Sequence, residues 1–363
     1  MSSHLPYIAA SAFDIMALAA VIGTLATGLW IIPEAARESF HRRLWRLTGV
    51  SLTALTISSI VLLIGRTLEM SRQPLHDVPH WLPLVVRETS FGHIWLVRPA
   101  MLIVAWLAWL IARRPARHRA AYGILLATAV IAFTRSATGH PADQGQWTAP
   151  EWVDFVHLIA AGVWAGGLFA MTVAIFPFLS KARLAAPARL ALTQRLSAVA
   201  ATALACILIT GVLSAYHYLG GFAPLFHSPY GHVLLVKLAL VAIAIAIGAA
   251  NRFVFVPRIR ATIQAQKPTL AHESDERAFS HLARSVAIET GFLVAALVAA
   301  AVLLHGMPPA EMRHTIGGTM ARASQPTERL EWAGLRDTQR SRFAPLISTV
   351  RYGVLRRSAP ESL

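Results

Sequence analysis

The sequence predicts an all-α, polytopic membrane helix bundle with about eight transmembrane helices and both termini on the outer side. Three observations predict it: an apolar composition, eight separated runs long enough to cross a bilayer, and an uneven distribution of Lys and Arg among the loops. Of 363 residues, 55% are hydrophobic and 14% charged, against about 45–50% and about 25% in ordinary soluble domains.

A crossing helix needs about 20 mainly apolar residues. The first such run, Ile8–Ile32, lacks a basic segment before it and is long for a signal peptide core, so it reads as a retained helix. Leu47–Gly65 and His93–Ala112 follow. Ala120–Phe133 is short unless it continues to about Gly139. Trp152–Phe178 carries the Gly162 and Gly166 pair, a spacing of small residues that lets a neighbouring helix approach closely. Ala198–Tyr218, Gly231–Ala250 and Val286–His305 complete the set. No period of 20–50 residues repeats along the chain, so a repeat architecture is not indicated.

Orientation comes from the loops, because Lys and Arg accumulate on the cytoplasmic side. The loops after spans one, three, five and seven hold eighteen Lys and Arg; the N-terminus and the remaining short loops hold four. The net charge of +15 therefore reads as basic inner loops. No basic patch with interleaved aromatics accompanies it, and no nucleic-acid partner is expected. Residues 1–306 form the expected membrane domain. Residues 307–363, with nine Arg scattered among Pro, Ser, Thr and Gly, read as a disordered tail able to touch anionic membrane lipid. A single cysteine, Cys206, excludes disulfide frameworks and Cys-cluster metal sites.

Histidine runs against the basic residues: eleven of fifteen fall on the outer side. His93, His140, His157, His217, His232 and His305 stand at or near the outer ends of six different spans. Asp154, His157, Ala161 and Trp164 share one helical face. At ~1.5 Å per residue, Asp14, Arg98, His157 and Lys237 all lie roughly 7–9 Å below the outer edge, which implies a shared polar interior. Charge at such depth costs at least about 2.5–3.5 kcal/mol and pairs, lines water or marks a pathway. Asp14 or Asp154 neutralising Arg98 or Lys237 is the purely structural reading. Glu69 beside span two and Met307 beyond span eight add carboxylate and thioether to imidazole, a donor set that suits copper. Glu289, on the inner half of span eight, has no evident partner at its depth.

The stretch from about Leu192 to Ile259 resembles the CopD/PcoD copper resistance protein D family. The resemblance rests on Arg195-Leu196-Ser197, Thr210-Gly211, Ser228-Pro229-Tyr230-Gly231 with Lys237, and Gly248-Ala249-Ala250-Asn251-Arg252. His157 to Gly167, ending in Trp164-Ala165-Gly166-Gly167, is a second match; Phe91-Gly92 with Arg98 and Thr138-Gly139-His140 are weaker ones. Pro141 after His140 and Ser228 in place of Thr depart from the family pattern. The resemblance implies an eight-span protein of the bacterial inner membrane that moves copper from periplasm to cytoplasm, alongside a periplasmic CopC-like copper-binding protein.

The expected site takes copper, as Cu(I) or Cu(II), on His140 and His157, with His217 and His305 as further ligands. Asp154 orients His157; Asp14, Glu69, Met307, Tyr230, Lys237, Arg98 and Trp164 complete the surroundings or the pathway. The chain is expected not to be an enzyme, and it holds no GxxxxGK[ST] loop for ATP. Two other readings use the same histidines: a b-type cytochrome with one bis-His haem, and a copper donor or assembly factor that binds the metal without transporting it.

Overall fold

The computed structural model describes residues 5–112, 119–138, 147–179, 182, 184–219, 221–264, 271–306 and 309. Among them there is no strand. The helices are α1 (Leu5–Ala26), α2 (Glu34–Ser71), α3 (Val78–Glu88), α4 (Ser90–Trp95), α5 (Val97–Ala112), α6 (Ala121–Ser136), α7 (Ala149–Ala161), α8 (Gly167–Ala170), α9 (Ala186–Leu219), α10 (Ala223–His227), α11 (Pro229–Ala250), α12 (Val256–Gln264) and α13 (Ala271–Leu304). Four π turns interrupt them, at Thr27–Ile31, Gly162–Gly166, Met171–Ile175 and Asn251–Phe255.

Among the described residues, seven helical stretches are long and apolar enough to cross a membrane: Pro6–Ile31, Glu34–Ser71, Ser90–Ala112, Ala149–Phe178, Pro187–Leu219, Pro229–Ala261 and Arg277–Leu304. Ala121–Ser136 is a shorter apolar helix in the place of the expected fourth span. Several helices outrun their apolar runs. α2 begins at Glu34, directly after Pro33, and α9 begins at Ala186. Arg-bearing turns there continue the backbone hydrogen bonds beyond the apolar stretch. Side chains such as Ile103, Leu126 and Val212 stay exposed on the bundle's surface, where acyl chains would cover them.

Contrary to the expectation of no repeat architecture, the main described helices fall into two similar sets of four, a period far longer than about 50 residues. The segment Thr89-Ser90-Phe91-Gly92-His93-Ile94-Trp95-Leu96-Val97-Arg98 reappears as Ser228-Pro229-Tyr230-Gly231-His232-Val233-Leu234-Leu235-Val236-Lys237. Both copies fold alike. Thr89 Oγ1 accepts the Gly92 N–H at 3.0 Å, and Ser228 Oγ accepts the Gly231 N–H at 2.9 Å, each capping the helix that follows. A Cβ on Gly92 would strike the carbonyls of Val85 and Val86, and one on Gly231 those of Pro224 and Leu225. Glycine is therefore required at both turns.

Topology repeats too. α1 packs on α2 and α5 on α6 in the first half; α7 packs on α9 and α11 on α13 in the second. One apolar core, including Leu18, Leu52, Ile124 and Ile131, is shared by α1, α2, α5 and α6. A second, including Trp164, Leu168, Leu192 and Val286, belongs mainly to the other half. The halves meet where α1 lies against the π turn Gly162–Gly166. A Cβ on Gly166 would collide with the Ala19 carbonyl, and one on Gly23 with the Gly166 backbone. The small-residue spacing thus serves the contact it predicts.

Candidate functional site

Asp14 is fully buried in α1 and gathers three helices around its carboxylate. Arg98 Nη2 donates to Oδ1 at 2.5 Å, Arg135 Nη1 to Oδ2 at 2.7 Å, and Ser58 Oγ to Oδ1 at 2.7 Å. The two guanidiniums continue outward: Arg98 Nε donates to Ser59 Oγ and Arg135 Nη2 to Ser11 Oγ. Every one of these groups is paired, as burial of charge requires. Arg135, which the sequence places in a loop, is in the last turn of α6 and only 11% exposed. The pattern of one acid sharing two arginines is the structural reading of this half.

The second half carries an acid and a base at corresponding places, Asp154 and Lys237. Three residues after Asp14 stands Ala17; three residues after Asp154 stands His157. Asp154 accepts from Ser136 Oγ at 2.7 Å. Lys237 is in electrostatic range of both Asp154 and His157. His157 Nδ1 is 2.9 Å from Thr210 Oγ1 on α9. The Thr210 hydroxyl donates its one proton to the Cys206 carbonyl at 2.6 Å, so its oxygen accepts from Nδ1–H. That fixes the tautomer: the Nε2 lone pair of His157 is the ring's remaining donor, the form in which histidine binds a metal. Gly211 lies flat against the ring, its would-be Cβ 3.7 Å from His157 Cε1.

The other expected residues are distributed. His305, at the end of α13, hydrogen-bonds through Nδ1 to the Ala301 carbonyl at 2.8 Å and meets Tyr7 edge-on. His217 stands edge-on to its neighbour Tyr218. Tyr230 contacts Gly306, whose Cβ would lie 3.4 Å from its ring. Glu69 is half-exposed in an ion pair with Arg66 at 2.6 Å. Trp164 is in the π turn Gly162–Gly166 and donates to Glu289. His140 and Met307 lie outside the described residues. Among those described, no three His, Cys, Asp or Glu side chains are gathered closely enough to hold a metal ion.

Thr210 and Ser136 were not singled out as site residues by sequence reasoning, because a hydroxyl in an apolar helix ordinarily bonds its own backbone. Asn251, inside a matched motif, was likewise given no role.

Comparison with known proteins follows the same division. The copper resistance protein D family model matches residues 190–303, and the copper resistance protein D-like N-terminal domain model matches residues 1–149. The chain is similar to the copper transport protein CutJ of Bacillus subtilis (strain 168), 30% identical over 179 residues, 48% of this chain and 32% of CutJ. It is 30% identical over 258 residues to the inner membrane protein YebZ of Escherichia coli (strain K12), 70% of this chain and 86% of YebZ. It is 28% identical over 296 residues to the copper resistance protein D of Pseudomonas syringae pv. tomato, 78% of this chain and 90% of that protein. The chain thus spans about a third of CutJ and most of the other two. No solved structure matches. One family accounts for both halves, the repeated acid–base pairs and the apolar bundle that holds them: this multi-pass membrane protein belongs to the copper resistance protein D family.

Proposed function

We propose that the protein carries copper across the bacterial inner membrane from the outer side, as a non-enzymatic component of copper homeostasis and resistance. The observation that carries this reading is His157, with its Nδ1–H committed to Thr210 and its Nε2 lone pair available beside Asp154 and Lys237. Copper is the cargo. Imidazole nitrogen binds both of its oxidation states, and thioether sulfur favours Cu(I). His140, four residues beyond the end of α6 in sequence, is the proposed second ligand. His217 and His305 are at the outer ends of neighbouring helices and serve as stations on the approach. A periplasmic copper-binding protein of the CopC type is the proposed source of the metal.

Lys237 gives the site a second property. A cation held near Asp154 and His157 opposes a second positive charge, so copper binding is favoured when Lys237 shifts toward Asp154. Lys is suited to this, being a compact charge on a flexible stem, where the arginines of the first half are held by several fixed hydrogen bonds.

The test is time-resolved copper influx into liposomes holding the purified protein in known orientation, wild type beside the His140→Ala/His157→Ala variant. Influx that disappears in the double variant supports transport through this site. Copper bound without influx overturns transport in favour of a donor or assembly role. Equal influx in both overturns the ligand assignment.

A further inference from the structure

A second polar constellation lies in the same half of the bundle as His157, about two helical turns further along the chain at Trp164. Glu289 of α13 is buried, 3% exposed. Its Oε1 accepts from Trp164 Nε1 at 3.2 Å and its Oε2 from Asn251 Nδ2 at 2.9 Å. Both donors sit in π turns, Gly162–Gly166 and Asn251–Phe255, a feature frequent at functional sites because it redirects side chains within a helix. Gly248 provides the room: a Cβ there would be 3.0 Å from Glu289 Oε1. Among the described residues no Lys or Arg nitrogen lies within 4.0 Å of the carboxylate. This contrasts with Asp14, which takes two. Asn251 Oδ1, also buried, has no hydrogen-bond partner among the described residues.

Beside these groups is a cavity of about 250 Å³, between α9, α11 and α13. It has room for several waters at roughly 30 Å³ each. Its lining is largely aliphatic; Arg252, whose Nη1 donates to the Ser197 carbonyl and hydroxyl, is the other charged side chain on it. Thr193 and Ser197 are the polar groups from α9, and α13 contributes no further titratable group to the lining.

We infer that Glu289 with Asn251 is a proton-binding site on the inner side of the bundle, exchanging its proton with water through this cavity. The ligand class follows from the donors. Ca²⁺ takes about 6–8 oxygen ligands, more than one carboxylate and one amide supply, and copper in its soft state prefers sulfur and nitrogen. Intramembrane carboxylates mark ion pathways and proton relays, and one without a cation partner fits the second. On release, the O–H bond of the acid breaks, the proton passes to cavity water, and the carboxylate accepts from Trp164 Nε1–H and Asn251 Nδ2–H as observed. On uptake, the acid O–H donates to Asn251 Oδ1 once the amide turns over, giving that buried acceptor its partner.

The test is infrared difference spectroscopy of the full-length protein in a carbonyl-free detergent, acid minus alkaline, without copper. The wild type is expected to show a protonated-carboxyl C=O band that Glu289→Gln removes and Glu289→Asp displaces. The band is also expected to shift within the mixing time in D₂O. A band unchanged in Glu289→Gln, or unmoved in Glu289→Asp, overturns the assignment; a band that does not exchange in D₂O overturns access through the cavity. Because copper takes no part in the readout, failure of the transport reading leaves this result standing, and the reverse.

Discussion

Arg135 Nη1 lies 2.7 Å from Asp14 Oδ2, joining residues 121 positions apart and tying the end of α6 to the first helix of the bundle. Asp14 is shared with Arg98, so its removal leaves two buried guanidiniums without their acid. Asp14→Ala is expected to destabilise the protein by about 3–5 kcal/mol, the cost of breaking a buried ion pair. Asp14→Asn, which keeps hydrogen-bonding capacity, is expected to lose less. Thermal unfolding in detergent checks both; a change below about 1 kcal/mol for Asp14→Ala would show that the network is not held by its charge.

In the proposed site, Thr210 acts on copper through His157. Thr210→Val keeps the shape of the side chain but removes the acceptor that fixes the imidazole tautomer. Copper affinity is expected to fall by about 10–100-fold, as for other partners that orient a ligating histidine, while Thr210→Ser retains it. Equilibrium competition with a copper chelator measures this.

The contact between the halves depends on an absent side chain. Gly166→Val would force α1 away from the π turn, and the expected outcome is a loss of at least about 1–3 kcal/mol through overpacking. Gly291, with open space around its Cβ position, is the control: Gly291→Ala is expected to be neutral or to stabilise α13 by up to about 1 kcal/mol. Comparative melting of the two variants decides it.

Glu69 is half-exposed and ion-paired with Arg66. Glu69→Gln is expected to change stability by about 0–1 kcal/mol, the range for exposed pairs, and to leave copper influx unchanged. Reduced influx would return Glu69 to the copper pathway.

Much of the architecture is legible in the sequence because lipid imposes it. Length and apolarity specify where helices cross, and that is why the eight expected runs reappear as seven long helices and the short Ala121–Ser136. Their ends are less legible. α2, α9 and α13 continue through polar turns, since backbone hydrogen bonds do not stop where apolar side chains do. Depth was readable as well: Asp14 and Arg98 do meet, and His157 and Lys237 do face each other's fields.

The sequence by itself determined the bundle, the kinds of side chain available to it and the helical face shared by Asp154 and His157. Which donor meets which acceptor was decided only by the tertiary structure. Arg135 turned inward to Asp14, Thr210 Oγ1 accepted the His157 Nδ1–H, and Trp164 and Asn251, both in π turns, met Glu289. The physical reason is that a helix fixes side-chain direction only relative to its own axis. The rotation of each helix against its neighbours, set here by contacts as close as Gly23 against Gly166, selects the partner.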